Sequence, residues 1–281
     1  MRPALTLALL IAVRPALAGT PEDVTPSLMG SYQGMRLSGS QQDAWVQLVE
    51  ELGAAVANKS FAPAETLGAL GFDLSAGSSF VFHSLGSEEE PSPWDTSHPS
   101  GDPGRVLSVP HLAIRKGLPM SFEVGMDLSW VAMSRQGAFG GYTRLALVEG
   151  YKPWPDITLQ GGYSGYVGND ELGLGVTDLG LSIGSTYPFG TIPGLRSAQF
   201  SPWFNASMLR IRANPTVDAD VADALGLVPI GGSADDALKA STLARLGLGF
   251  QITNGTLLLR LLGTWVPGTL PTASIAMGFS Y

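Results

Sequence analysis

From Gly71 to Tyr281, segment after segment places an apolar side chain at every second position, a period that only extended strands turn into one continuous apolar face. Over 72–82, Phe72, Leu74, Ala76, Phe80 and Phe82 share one face, while Asp73, Ser75, Gly77 and Ser79 share the other. Over 121–130, Phe122, Val124, Met126, Leu128 and Trp130 oppose Ser121, Glu123, Gly125, Asp127 and Ser129. The last segment is the cleanest, with Ala273, Ile275, Met277, Phe279 and Tyr281 against Thr272, Ser274, Ala276, Gly278 and Ser280. A soluble antiparallel sandwich satisfies the same alternation. Three features favour a closed barrel instead. The polar face is rich in Gly, Ser and Thr and poor in charge, as befits a crowded interior. The segments run about 10 to 16 residues, longer than the usual five or six, and a tilted spanning strand requires roughly 9–11. Aromatic residues (Tyr142, Tyr151, Trp154, Tyr187, Phe189, Trp265 and Tyr281) gather near segment ends, where an interfacial girdle sits.

Composition points to the same solvent. Charged residues make up 14% of the chain, against about 25% in soluble domains. Mean hydropathy is +0.18. No stretch after the N-terminus is long and apolar enough for a spanning helix. Inside lipid only helices and closed barrels pair every backbone polar group, so the barrel remains. With 16 Lys and Arg against 24 Asp and Glu, the chain lacks the basic excess that a nucleic-acid partner demands. Cysteine is absent, which excludes a lipoprotein and a disulfide scaffold. Arg2, the apolar run Pro3–Val13 and the small-x-small Ala16-Leu17-Ala18 read as a signal peptide over 1–18, cleaved after Ala18. As a helix, Pro3–Val13 rises only about 16 Å, too short for a core of roughly 30 Å.

Connections alternate between short and long, as in barrels with short periplasmic turns and longer outer loops. Lys116–Met120, Tyr151–Pro155, Tyr187–Gly194 and the pair Asn254-Gly255 are the short ones. Leu85–Gly104, Arg135–Gly141, Gly168–Glu171, Ala213–Lys239 and Val266–Leu270 are the opposing loops, and they carry acidic stretches at Glu88–Glu90 and around Asp218–Asp223. Counting back from Tyr281 predicts ten strands over 71–281, with eight or twelve still open. The alternation shifts phase near Thr177-Asp178, which reads as a β-bulge.

The terminal Tyr281, with Phe279, Met277 and Ile275 at every second position before it, resembles the C-terminal signature of bacterial outer-membrane β-barrel proteins. That resemblance implies outer-membrane lipid as the surroundings and recognition of these four residues by the barrel-assembly machinery. It says little about activity.

Residues 19–70 do not alternate. Ser40 is placed to cap a helix over Gln41–Ala57, with Trp45, Leu48, Val49, Leu52 and Val56 on one face. A ten-stranded barrel has a backbone diameter of roughly 20 Å, and inward side chains leave less than the roughly 10–12 Å of a dressed helix. The expectation is a helical segment at the periplasmic mouth, outside the lumen.

Strand parity assigns Asp73, His83, His111, Arg115, Glu123, Asp127, Arg144, Gln160, Arg245 and Arg260 to the lumen. Such a set fits a salt-bridged filling and a lined pore about equally. His83 and Ser84 are adjacent on a strand and point to opposite faces, so they do not form a base–nucleophile pair. His98 falls in a Pro/Ser/Asp-rich loop. Two lumen histidines make a weak metal site, and neither a metal, a cofactor nor an enzymatic activity is expected. Two functions follow. The first is a narrow pore or passive conduit for small or apolar solutes. The second is a structural or interaction barrel with a filled lumen that presents its outer loops. Oligomeric state is not readable.

Overall fold

The computed structural model describes residues 22–30, 41–59, 61–83, 86, 91–99, 104–151, 154–189, 198–232 and 238–281. The signal peptide and its cleavage site, the capping Ser40, Ser84 and the acidic run Glu88–Glu90 lie outside the described residues. Eleven antiparallel strands follow in chain order: β1 (Phe72–Phe82), β2 (Val106–Leu118), β3 (Phe122–Trp130), β4 (Gly137–Val148), β5 (Asp156–Val167), β6 (Leu172–Gly184), β7 (Tyr187–Phe189), β8 (Ala198–Pro215), β9 (Ser241–Asn254), β10 (Leu257–Trp265) and β11 (Pro271–Ser280). Each long strand pairs with its neighbours in sequence. β1 pairs with β11 from Asp73↔Ser280 to Val81↔Thr272, and β6 pairs with β8 from Leu172↔Pro215 to Gly184↔Trp203. The wall is therefore a closed barrel of ten strands, with β7 a short extension paired to the start of β8. Among the described residues no helix is long and apolar enough to cross a membrane.

Outward faces carry the apolar alternation. Leu74, Phe80, Phe122, Met126, Leu128, Phe139, Leu159, Phe204, Leu248, Phe250, Ile275, Met277 and Phe279 are all exposed. Closure leaves no unpaired edge, which is what lets such a wall face lipid. The β9–β10 hairpin pairs Asn254 with Leu257, so its two turn residues are Gly255 and Thr256, one position later than Asn254-Gly255. Gly255 has φ +64°, the left-handed conformation that a two-residue hairpin requires and glycine supplies without strain.

Two expectations need correction. β6 carries no bulge at Thr177-Asp178, because its register with β5 and with β8 is unbroken there. Leu172, Leu174 and Val176 point inward together with Asp178 and Ser182, all buried. An apolar inward face looked like a change of phase. The irregularity lies instead in β4, between Ala146 and Val148. Tyr142, assigned to the aromatic girdle, points into the lumen. Its neighbours across the strands are Gly125 and Gly162, and a side chain on Gly125 would collide with its ring.

The N-terminal segment brings the third and largest difference. Its helix α1 (Gln41–Val56) spans the expected residues, but it lies inside the barrel. Ala44, Trp45, Leu48, Val49, Glu51, Leu52, Ala54 and Ala55 are buried, and after the exposed Gln41, Gln42 and Asp43 the helix has no exposed residue. A methyl on Gly53 would fall 2.7 Å from the inward-facing Ile211 of β8. Two features of the residues make room. The last turn of α1 is Gly53-Ala54-Ala55-Val56, so the helix is thin there. The bulky arginines sit at the other end of the lumen and do not compete with it.

Candidate functional site in the barrel lumen

The N-terminal segment threads the barrel from end to end. At the long-loop end, Val24 and Asp23 are buried against the loops between β3 and β4 and between β5 and β6. The Val24 N–H donates to Gln136 Oε1 (2.9 Å), Gln136 Nε2 donates back to the Val24 carbonyl (3.0 Å), and Asn169 donates to the same carbonyl (2.9 Å). A 3-10 turn over Pro26–Gly30 follows, with the Ser27 N–H and hydroxyl on the Glu171 carboxylate (2.8 and 2.7 Å). α1 then enters the lumen. Trp45 donates from its indole to the Val228 carbonyl at 2.9 Å. Asn58, just past the helix, donates from its backbone to Ser164 Oγ of β5 at 2.8 Å. Below it, the Pro63 carbonyl accepts from Arg144 and the Ala64 carbonyl from Thr158. The Thr66 hydroxyl reaches Glu149 at 2.7 Å. Gly68 lies against Gly117 at the end of β2, and the chain turns there into β1.

A lid covers the helix. The short α2 (Pro93–Ser97) starts with proline in its first turn and a capping box between Ser92 and Asp95, an arrangement that pairs otherwise orphaned N–H groups. Trp94 is fully buried and donates from its indole to Glu51 of α1. His83 stacks on Trp94 (4.7 Å between centroids), and so does His98 (5.5 Å). His83 thus belongs to the lid. His111 lies elsewhere, edge-on to Phe61 at 5.4 Å. The two histidines share no site, and among the described residues no group of three or more His, Asp and Glu side chains is placed to hold a metal.

The opposite half of the lumen is ionic. Asp73, Arg115, Glu123, Arg144 and Arg260 form one network in which three guanidiniums share two carboxylates. Arg115 contacts Asp73 (2.9 Å) and Glu123 (3.1 Å), Arg144 contacts Glu123 (3.0 Å), and Arg260 contacts Asp73 (2.5 Å). Arg260 also donates from Nε to Gln251 Oε1 at 2.6 Å. All five charged side chains are at most 3% exposed. Between the two halves lies a polar belt. Gln160 donates to Asp178 across 3.4 Å, and Arg245 donates from Nε to Ser207 at 3.0 Å. The terminal nitrogens of Arg245 have no hydrogen-bond partner among the described residues. Asp127 lines a water-sized cavity of about 20 Å³ together with Lys59, His111 and Ser129.

Sequence parity missed Asp178, since a bulge was inferred beside it. It also missed Lys59, Glu51 and Trp94, which lie off the strands. The alternation Ser201, Trp203, Asn205, Ser207, Leu209, Ile211 along β8 held the missing signal: an inward face that is polar at one end and apolar at the other.

A ten-stranded membrane barrel whose lumen holds its own N-terminal segment is the class that fold and site define. Its architecture is that of bacterial outer-membrane β-barrels. No protein-family model matches the sequence, and no curated protein matches it. Solved structures similar to it include the N-terminal β-barrel domain of OprF from Pseudomonas aeruginosa (11% identity, 76% of this chain and 99% of that one, TM-score 0.29). The KdgM porin is similar over 75% of this chain and 99% of its own (5% identity, TM-score 0.32), and the translocator domain of autotransporter NalP from Neisseria meningitidis over 85% and 95% (8% identity, TM-score 0.31). At such identities and scores these likenesses add nothing to what the wall itself shows.

Proposed function

We propose that this protein is a self-plugged outer-membrane barrel with a structural or interaction role, presenting an outer face built from its loops and its N-terminal segment. The observation that carries this reading is α1 within the lumen, with no exposed residue after Asp43. A ten-stranded barrel is only slightly wider than the eight-stranded ones that side chains alone fill. Here a helix fills one half and an arginine–carboxylate network the other, so an open conduit is the weaker reading. The outward apolar wall fits membrane lipid, and the short-turn end, where the chain passes from Gly68 into β1 and ends at Tyr281, fits the periplasmic side. Ile275, Met277, Phe279 and Tyr281 face outward from the closing strand, accessible to an assembly machinery during insertion.

Conductance in planar bilayers tests the reading. The wild-type protein is expected to be silent, and a variant lacking residues 41–59 to give discrete steps. Steps from the wild-type protein equal to those of the variant would restore the conduit. Orientation is tested with an impermeant thiol reagent on intact cells. Cysteines at Glu22 and Gly226 are expected to react and one at Met120, in the β2–β3 turn, to be protected. The reverse pattern would invert the barrel.

A further inference from the structure

On the outside of the wall, near the long-loop end of β5, β6 and β8, a hollow opens with a volume of about 620 Å³, within the roughly 300–1,000 Å³ of small-molecule sites. Its floor is bare backbone at Gly165, Gly173 and Gly175. Tyr163, 57% exposed, stands on one side with its hydroxyl against Gly175. Arg212 and Asn214 stand on the other, and Pro229–Gly232 overhang it. Arg210 lies one pleat further along the same face as Arg212, level with Thr177 of β6 and Thr242 of β9. Both arginines are exposed, and among the described residues neither is within ion-pair distance of a carboxylate. One pleat beyond Arg210 the wall turns apolar at the paired Leu179 and Met208, 53% and 52% exposed. The arginine pair therefore stands at the rim of the lipid-facing band, at the depth of headgroups.

We propose that this hollow binds the phosphorylated sugar headgroup of a membrane lipid. Arg210 and Arg212 take the phosphate, for which a guanidinium is suited by charge and by its forked donors. The Tyr163 ring lies against the sugar, and the acyl chains run down over Leu179 and Met208. In an acidic protein, net charge −8, these two cations stand, among the described residues, without a carboxylate within ion-pair distance, at the level where an anionic headgroup meets the wall. The assignment rests on the membrane reading above, with the long-loop end outward.

The test is thermal unfolding of the purified full chain in detergent, titrated with diphosphoryl lipid A, phosphatidylglycerol or phosphatidylcholine. Lipid A is expected to raise the midpoint by several degrees, and phosphatidylcholine to leave it unchanged. The double variant Arg210→Gln/Arg212→Gln is expected to weaken the lipid A response at least about tenfold, the equivalent of one charge-assisted contact. Gly173→Leu is expected to do the same by filling the hollow, since a Cβ there meets nothing nearer than the Asn214 carbonyl at 3.6 Å. Equal responses of wild type and both variants, or a phosphatidylcholine response matching that of lipid A, would overturn the site. So would a phosphatidylglycerol response equal to that of lipid A, which would leave the sugar contact without a role. Heat-modifiable migration on gels is read in parallel. Its retention in the variants means that a lost response is a lost site, while its absence in the wild type would overturn the barrel itself and the site with it.

Discussion

The two halves of the lumen solve the same problem with opposite chemistry. Towards the long loops, Val81, Leu107, Val109, Leu172, Leu174, Val176, Leu209 and Ile211 line the wall and pack against Trp45, Leu48, Val49 and Leu52 of α1. Towards the short turns, Asp73, Arg115, Glu123, Arg144 and Arg260 close the space with ions. Apolar packing is non-directional and adjusts to the loss of a methylene with a graded response. A buried ion network does not adjust. Removing one partner leaves a charge stranded in a low-dielectric interior. The ionic half is therefore expected to be brittle and the apolar half tolerant.

The largest effect tests the brittle half. Asp73 anchors two arginines, so Asp73→Ala is expected to destabilise the barrel by about 3–5 kcal/mol. A urea midpoint in detergent close to that of the wild type would show that solvent reaches these groups. In the apolar half, Leu48→Ala removes a fully buried side chain and is expected to cost about 2–5 kcal/mol of plug stability, depending on how far the site collapses. Hydrogen exchange should assign the loss to α1, with the strands unchanged. Exchange that quickens equally in α1 and the wall would make plug and barrel one cooperative unit and dissolve the contrast.

What the sequence makes legible follows the same division. Strand parity finds Asp73, Arg115, Glu123, Arg144 and Arg260 because charge inside and apolar residues outside agree with the period of two. It misreads β6 because an inward face of Leu172, Leu174 and Val176 resembles an outward one until something apolar is known to fill the barrel. The extent of α1 is legible from its helical spacing. Its location is not, because a size estimate based on an average dressed helix misses the small residues from Gly53 to Ala55 and the sorting of arginines to the far end. The lid is hidden for a different reason: Trp94, His83 and His98 come together through loop closure, which has no period.

A smaller effect is expected at the lid. Burial lowers the pKa of His98, opposed by its contact with the Trp94 carbonyl (2.7 Å) and by the nearby charge of Glu22, while His83 lowers it further and Asp95 raises it. The folded lid thus favours neutral His98, whereas the unfolded lid takes up a proton near the ordinary value of about 6.5. Lid stability is present above that pH and falls as the pH drops below it. Hydrogen exchange of residues 93–98 is expected to quicken between neutral and mildly acidic pH, and His98→Phe to abolish the dependence. A pH-independent lid in the wild type would refute the assignment. The smallest effect is expected at the rim, where Arg135 pairs with Asp23 at 3.2 Å while 42% exposed. Arg135→Ala is expected to change stability by no more than about 1 kcal/mol, because solvent screens such a pair. A larger loss would mean that the rim contributes to holding the segment in the lumen.

The occupied lumen is tested most directly by a cross-link. The sequence has no cysteine, so a pair introduced at Gly53 and Ile211 is the sole thiol pair, and a Cβ on Gly53 falls 2.7 Å from the Ile211 side chain inside the barrel. Mild oxidation of membranes carrying Gly53→Cys/Ile211→Cys, followed by digestion and mass spectrometry, should recover the disulfide-linked peptides of α1 and β8 in high yield. Two free thiols at these positions, in protein that still migrates as a folded barrel, would place the helix outside the lumen and contradict the plug.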